Sequence, residues 1–295
     1  MSGAWARLGR DRLAALSALI LAALAAVALL APVLAALLGV DPNAVDLLER
    51  YGPPSAKHWL GTDEIGRDVL LRLILGGQVS LFVGLVAAFA SAVIGTVVGL
   101  VAGYRGGKLD DALMRLTDGV IALPLLPLLI VMAALDLSKL GISPEAAGAP
   151  AASFWRIVAI IALVGWTTVA RLVRGATLSV RTQDFVAAAV SQGTPPWRIM
   201  LVHILPNVAS PIVVATTLSV GNVILLESVL SFLGLGIQPP VPSWGNMLTN
   251  AQELVTTAPL LAVWPGLLIF VVVIACNLLG DALQDALDPT SKAAA

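Results

Sequence analysis

The side chains capable of chemistry are few and scattered. His58 and His203 stand 145 positions apart, whereas a helical HExxH zinc site needs its two histidines four residues apart. A single cysteine, Cys276, excludes an intrachain disulfide and a cysteine-rich metal site. GGKL at 106–109 ends in the wrong residue for a phosphate-cradling loop. That loop needs G-x-x-x-x-G-K-[ST], and here Ala102 and Leu109 stand at the two outer positions. The acids Asp63, Glu64 and Asp68 form a dense knot with Arg67, a candidate contact on the outward side. Its bland reading is local ion pairs, with Asp63 or Thr62 capping a helix. Glu227 lies in a long apolar run, where a carboxylate facing lipid costs about 2–4 kcal/mol. It is the first candidate for a translocation path, with Asn222 and Ser228 on the same run. Its bland reading is a structural hydrogen bond to a neighbouring helix. No set of these residues supports covalent catalysis or ATP hydrolysis by this chain, and no cofactor is expected on it. An integral-membrane enzyme would need convergent catalytic groups at membrane depth, which the scattered acids and histidines do not supply.

The elements around these residues are written in lipid-compatible composition. Of 295 residues, 58% are hydrophobic and 12% charged, about half the charge of a soluble domain. Mean hydropathy is +0.94. A net charge of −1 gives no basic footprint for nucleic acid. The reading is an all-α polytopic membrane protein.

Six spans are expected, at 13–39, 78–103, 113–135, 156–176, 206–236 and 259–281, each near the roughly 20 residues a crossing needs. The first is longer than the h-region of a signal peptide, so it reads as a retained anchor. The third is interrupted by Pro124 and Pro127, and the fifth is too long for one straight crossing. With the N-terminus inside, one side holds Arg7, Arg10, Arg12, Arg105, Lys108, Arg115, Arg171, Arg174, Arg181, Arg198 and Lys292. The other holds Arg50, Lys57, Arg67, Arg72, Lys139 and Arg156. Eleven against six favours cytoplasmic termini. The expected divisions are 1–40 (N-terminal segment and first span), 41–77 (outward, interfacial), 78–289 (core, with a cytoplasmic loop at 177–206) and a tail at 290–295. Gly95, Gly99 and Gly103 mark a close helix approach, with packing inside this chain favoured over a subunit contact. Trp155, Trp244 and Trp264 are read as interfacial anchors.

The loop QDFVAAAVSQGTPPWRIMLVHILPN at 183–207 is the most informative stretch. An Ala-rich helix should end at Gly193, where a left-handed backbone suits glycine. Thr194 then reads as an N-cap and Pro195 as the first residue of a second helix, ended by Pro206. Small side chains with little charge suit a helix lying deep in a groove of another protein.

This loop resembles the EAA loop of permease subunits in binding-protein-dependent ABC importers. Ala187, Ala188, Ala189, Gly193 and the HILP ending at His203, Leu205 and Pro206 carry the pattern, with Ala187 where Glu is usual and Val190 where a basic residue is common. HWLGTDEIGRDVLLRL (58–73), YRGGKLDDALMRLTD (104–118), LSFLGLGIQPPVPSWGNML (230–248) and LGDALQDALDP (279–289) are similar to the second permease subunit of dipeptide, oligopeptide and nickel importers, with Gln284 where Arg is usual. The resemblance implies a type I importer permease fold. It implies coupling to a cytoplasmic ATPase through the loop, including Thr194 and Arg198. It also implies a homologous second permease, two ATPases that carry the ATP and Mg, an extracytoplasmic substrate-binding protein and surrounding lipid as partners. Dipeptides or oligopeptides are the expected cargo, with glutathione-like thiols and nickel complexes as alternatives. A self-sufficient secondary transporter would show several intramembrane charges or an inverted repeat, and neither is visible.

Overall fold

The computed structural model describes residues 11–39, 41, 43–135, 143, 145 and 149–287. Arg7, Arg10, Lys139, Lys292 and the tail at 290–295 lie outside the described residues. Among the described residues the regular elements are helices joined by turns and loops, with one isolated bridge between Thr62 and Asp68.

Helix α1 (Arg12–Leu29) begins on Asp11, whose carboxylate accepts from the Leu13 amide at 2.9 Å. The first expected span is divided: the chain breaks at Leu30 and resumes as α2 (Ala31–Leu38). Pro32 causes the break, because it offers no N–H and crowds the carbonyl of Ala28. Helix α3 (Val69–Arg105) is 37 residues long and starts well before Gln78, so the expected division at 77/78 falls inside it. At 1.5 Å per residue it is about 55 Å long, more than the hydrocarbon thickness.

The third span is a bent pair. α4 (Gly107–Ala122) and α5 (Leu125–Ala133) meet at 86°. Leu123 is extended, with ψ 137°, as the steric restriction before Pro124 requires, and Pro124 is extended too, with ψ 111°. Helix α6 (Pro150–Val180) follows, with Pro150 in its first turn. Beyond a hairpin come α9 (Ala209–Phe232), α10 (Ala251–Thr257) and α11 (Leu260–Leu287). The excess length of the fifth span resolves into turns before and after α9, which is itself a continuous helix of 24 residues. Five of these helices are long and apolar enough to cross a membrane, six if the bent pair counts as one.

α3 and α6 form the most extensive helix contact. A Cβ added at Gly95, Gly99 or Gly103 would come within 3 Å of the Trp166, Ala170 or Arg174 carbonyl oxygen. The small-residue stripe therefore packs inside this chain, as the sequence favoured. Large apolar side chains such as Phe82, Leu85, Phe89 and Val93 point outward along α3, the arrangement lipid demands.

Candidate functional site

At one end of the bundle lies the hairpin. Its first arm, α7 (Asp184–Ser191), ends in a Schellman turn. The Gly193 amide donates to the Val190 carbonyl at 2.9 Å, and the Thr194 amide donates to Ala189 at 3.1 Å. Gly193 has φ +75°, as the motif needs. The second arm departs from expectation. Pro195, not Thr194, is its N-cap, and Pro196 is the residue in its first turn. Pro196 forces Pro195 into an extended backbone, with ψ 147°. After one turn of α8 (Pro196–Arg198) the chain widens into a π-helix, Ile199–Ile204, then tightens into a 3₁₀ turn, Leu205–Asn207. Pro206 does not stop the helix abruptly. It sits within this 3₁₀ turn, where its missing N–H leaves no regular α ladder to continue.

The hairpin has two faces. Val186, Ala189, Ile199, Ile204 and Val208 are buried against Leu100 of α3 and Val169 and Val173 of α6, with half-buried Leu205 beside them. Ala187, Ala188, Gly193, Arg198 and Pro206 are exposed, and Thr194 and His203 are half-buried. Ala189 thus packs inward, while Phe185 (43% exposed), Val190 (54%) and Trp197 (61%) stand out on the free surface. The His203 carbonyl accepts from the Asn207 amide group at 2.7 Å.

Arginines tie the same end together. Arg174 of α6 grips Asp110 of α4 with two bonds of 2.5 and 2.7 Å, and Arg171 reaches Asp118. Arg181 donates to the Gly103 carbonyl at 2.9 Å and Tyr104 at 3.2 Å, closing the end of α3. Basic residues counted in the loop tally are therefore also structural clamps.

At the opposite end sits the charged knot. Asp68 is the N-cap of α3, its Oδ1 accepting from the Leu71 amide at 2.8 Å and its Oδ2 paired with His58 Nδ1 at 2.8 Å. The capping role expected of Thr62 or Asp63 falls to Asp68 because α3 starts at Val69. Asp63 instead folds the loop, accepting from the Ile65 and Arg67 amides at 3.0 Å and from Arg67 Nε at 2.7 Å. Gly61 and Gly66 have φ of +79° and +82°, with backbone where a Cβ would stand. Within the knot, Asp63 and Asp68 are buried, while the Glu64 carboxylate keeps 42% exposure.

Glu227 is fully enclosed. Its carboxylate accepts from Ser231 Oγ at 2.7 Å and Ser80 Oγ at 3.0 Å. Those hydroxyls in turn accept from the Ile237 and Trp244 amides at 3.0 and 3.2 Å. Trp244 is 2% exposed and donates to the Leu73 carbonyl at 2.9 Å, so it is a core residue and not an interfacial anchor. Gly76 and Gly77 make the room it occupies.

Between the two ends a groove of about 560 Å³ opens among α4, α5, α6 and α9. Asn222 lines it; Glu227 and Ser228 do not. Five residues along a helix is about 140° round its axis, which turns Glu227 to the α3 side. Ser91, Thr167, Thr168 and Ser219 line the groove with Asn222. Sequence reasoning passed over those four, since Ser and Thr within an apolar helix can bond their own backbone and carry no signal of a path.

Comparison with known proteins places these features in a family. Residues 95–292 match the family described as binding-protein-dependent transport system inner membrane component, and residues 1–54 match the N-terminal transmembrane domain of oligopeptide transport permease C. The chain is 37% identical over 289 residues to the dipeptide transport system permease protein DppC of Alkalihalophilus pseudofirmus, covering 98% of this chain and 90% of that one. It is 33% identical to the oligopeptide transport system permease protein OppC of Bacillus subtilis, over 96% of this chain and 87% of that one. Identity to the glutathione transport system permease protein GsiD of Escherichia coli (strain 536) is 40%, over 98% and 90%. With a knot, a hairpin and a bent third span in one helical bundle, the chain belongs to the inner-membrane permease family of binding-protein-dependent transport systems.

Proposed function

We propose that the chain is one of two homologous permease subunits of an ATP-driven importer for dipeptides and oligopeptides. The hairpin end faces the cytoplasm and docks on one of two ATPase subunits, which carry ATP and Mg. The knot end faces an extracytoplasmic binding protein. The supporting observation is the hairpin's two-sidedness. One face lies free, with small Ala187, Ala188 and Gly193 beside exposed Phe185, Val190 and Trp197, while the other is continuous with the packing of α3, α6 and the start of α9. A displacement of the free face therefore moves three membrane helices together. ATP binding closes the ATPases, shifts the hairpin and biases the helices between inward-open and outward-open arrangements. The names of the DppC and OppC relatives support peptide cargo. Glutathione is the second reading, supported by GsiD.

The test is purification of the tagged chain in mild detergent, followed by reconstitution with what accompanies it. Recovery of a second permease and ATPase subunits, with ATP-dependent uptake of peptide delivered by the binding protein, is the expected result. Recovery of the chain alone, from membranes in which other importer complexes survive, overturns the proposal. Uptake of glutathione with no uptake of simple dipeptides replaces the first cargo with the second.

A further inference from the structure

The polar residues of the groove share one depth. Thr168 lies 12 residues from the hairpin end of α6, Asn222 lies 13 residues from the hairpin end of α9, and Ser91 lies 14 from that of α3. At 1.5 Å per residue all three are about 18–21 Å in, close to the middle of a hydrocarbon layer about 30 Å thick. Thr168 and Asn222 are exposed on the groove wall and have no hydrogen-bond partner among the described residues. Ser91 is 2% exposed and its hydroxyl is unpaired. A side chain at Gly165 would collide with that hydroxyl, so the glycine lets Ser91 come up to the groove wall. Ser219 donates to the Ala215 carbonyl at 2.7 Å and keeps its lone pairs free. Unsatisfied hydroxyls and an amide at this depth are costly against lipid, so they mark a path.

None of the lining residues is ionisable. A carboxamide and hydroxyls each donate and accept, which matches the N–H and C=O groups of a peptide bond and ignores the charge of side chains. The volume falls in the range of small-molecule sites. We infer that Ser91, Thr168, Ser219 and Asn222 form a charge-blind transit site that holds the peptide backbone midway across the membrane. This rests on the peptide-importer reading above and adds to it the groups that touch the cargo.

The test uses the complete reconstituted importer with Ala-Ala, Ala-Lys and Ala-Asp delivered at saturating binding protein. Wild type is expected to move bound Ala-Lys and Ala-Asp at similar maximal rates. Asn222→Asp places a carboxylate in the site and is expected to shift the Lys-to-Asp rate ratio about tenfold towards Ala-Lys, with Ala-Ala between. Wild-type uptake with an unchanged ratio in the variant overturns the transit site alone. A wild type that moves none of the three peptides overturns the peptide reading and the site with it. Loss of the second permease from the purified variant makes Asn222 a subunit contact and also overturns the site. If Asn222→Asp fails to insert, Asn222→Cys in a Cys276→Ala background supplies the second measurement. Labelling by a water-soluble maleimide during ATP turnover, slowed by Ala-Ala, is expected. Labelling that is absent, or indifferent to peptide, overturns the proposal.

Discussion

Gly193 is the residue on which the hairpin turns, because φ +75° is a conformation that costs an L side chain about 1–2 kcal/mol. Nothing lies within 4 Å of where its Cβ would stand, so the cost of a substitution is backbone strain and not collision. Gly193→Val is expected to insert normally and to lose most ATP-dependent uptake, since the Schellman turn sets the angle between the arms. Vesicle transport beside a membrane-insertion assay decides this, and full uptake removes the hairpin from the mechanism. Glu227 presents the contrasting case of a fully buried side chain held by serine hydroxyls. Glu227→Gln replaces one acceptor by a donor facing serine hydroxyls, and should cost about 1–3 kcal/mol. A lower midpoint of thermal unfolding in detergent checks it. Both residues attracted notice in the sequence, for different reasons. A glycine after an Ala-rich helix has one local explanation, whereas an acid in an apolar run has several. Only the fold could show the serine hydroxyls that enclose it.

At the scale of elements, α3 and α6 behave as one unit. Three glycines spaced four apart meet three carbonyls spaced four apart, which leaves no room for even a methyl group. Gly99→Leu is therefore expected to prevent α6 from seating, at a cost of about 1–3 kcal/mol or more from overpacking. The check is the yield of assembled complex in detergent relative to wild type. The bent pair α4–α5 is held differently, by paired aspartates and arginines across α6. Arg174→Lys cannot reproduce the two-pronged contact with Asp110. It should loosen α4 without unfolding the bundle, and protease sensitivity between 107 and 122 would report it. The two prolines at 124 and 127 were visible as an interruption in the sequence. The 86° angle was not, because extended backbone before a proline permits many directions and contact with α6 selects one.

On the scale of the whole molecule, the hairpin and the knot occupy opposite ends of helices that run between them without a break. α3 starts in the knot and ends beside the hairpin, and α9 runs back the other way. On the docking proposed above, adding the ATPase to permease subunits purified without it should slow hydrogen exchange at 184–207 and leave 44–68 unchanged. Equal protection at both ends, or protection at the knot alone, would place the docking face elsewhere. In that docking the exposed apolar trio Phe185, Val190 and Trp197 would make the contact, with Ala187 exposed beside it.

The residues alone determined the solvent, the helical class, the positions of most spans, the Gly193 turn and the family pattern. Each of these depends on composition or on neighbours within a few positions, and the hydrocarbon thickness converts such local counts directly into spans. Only the tertiary structure decided which polar groups meet. Asp68 became the cap of α3 because the helix starts late. Ala189 turned inward because α6 lies behind it, and Ser91 reached the groove because Gly165 on another helix leaves a gap. Those outcomes depend on the rotation of one helix against another, a quantity set by packing across long sequence separations and written in no single segment.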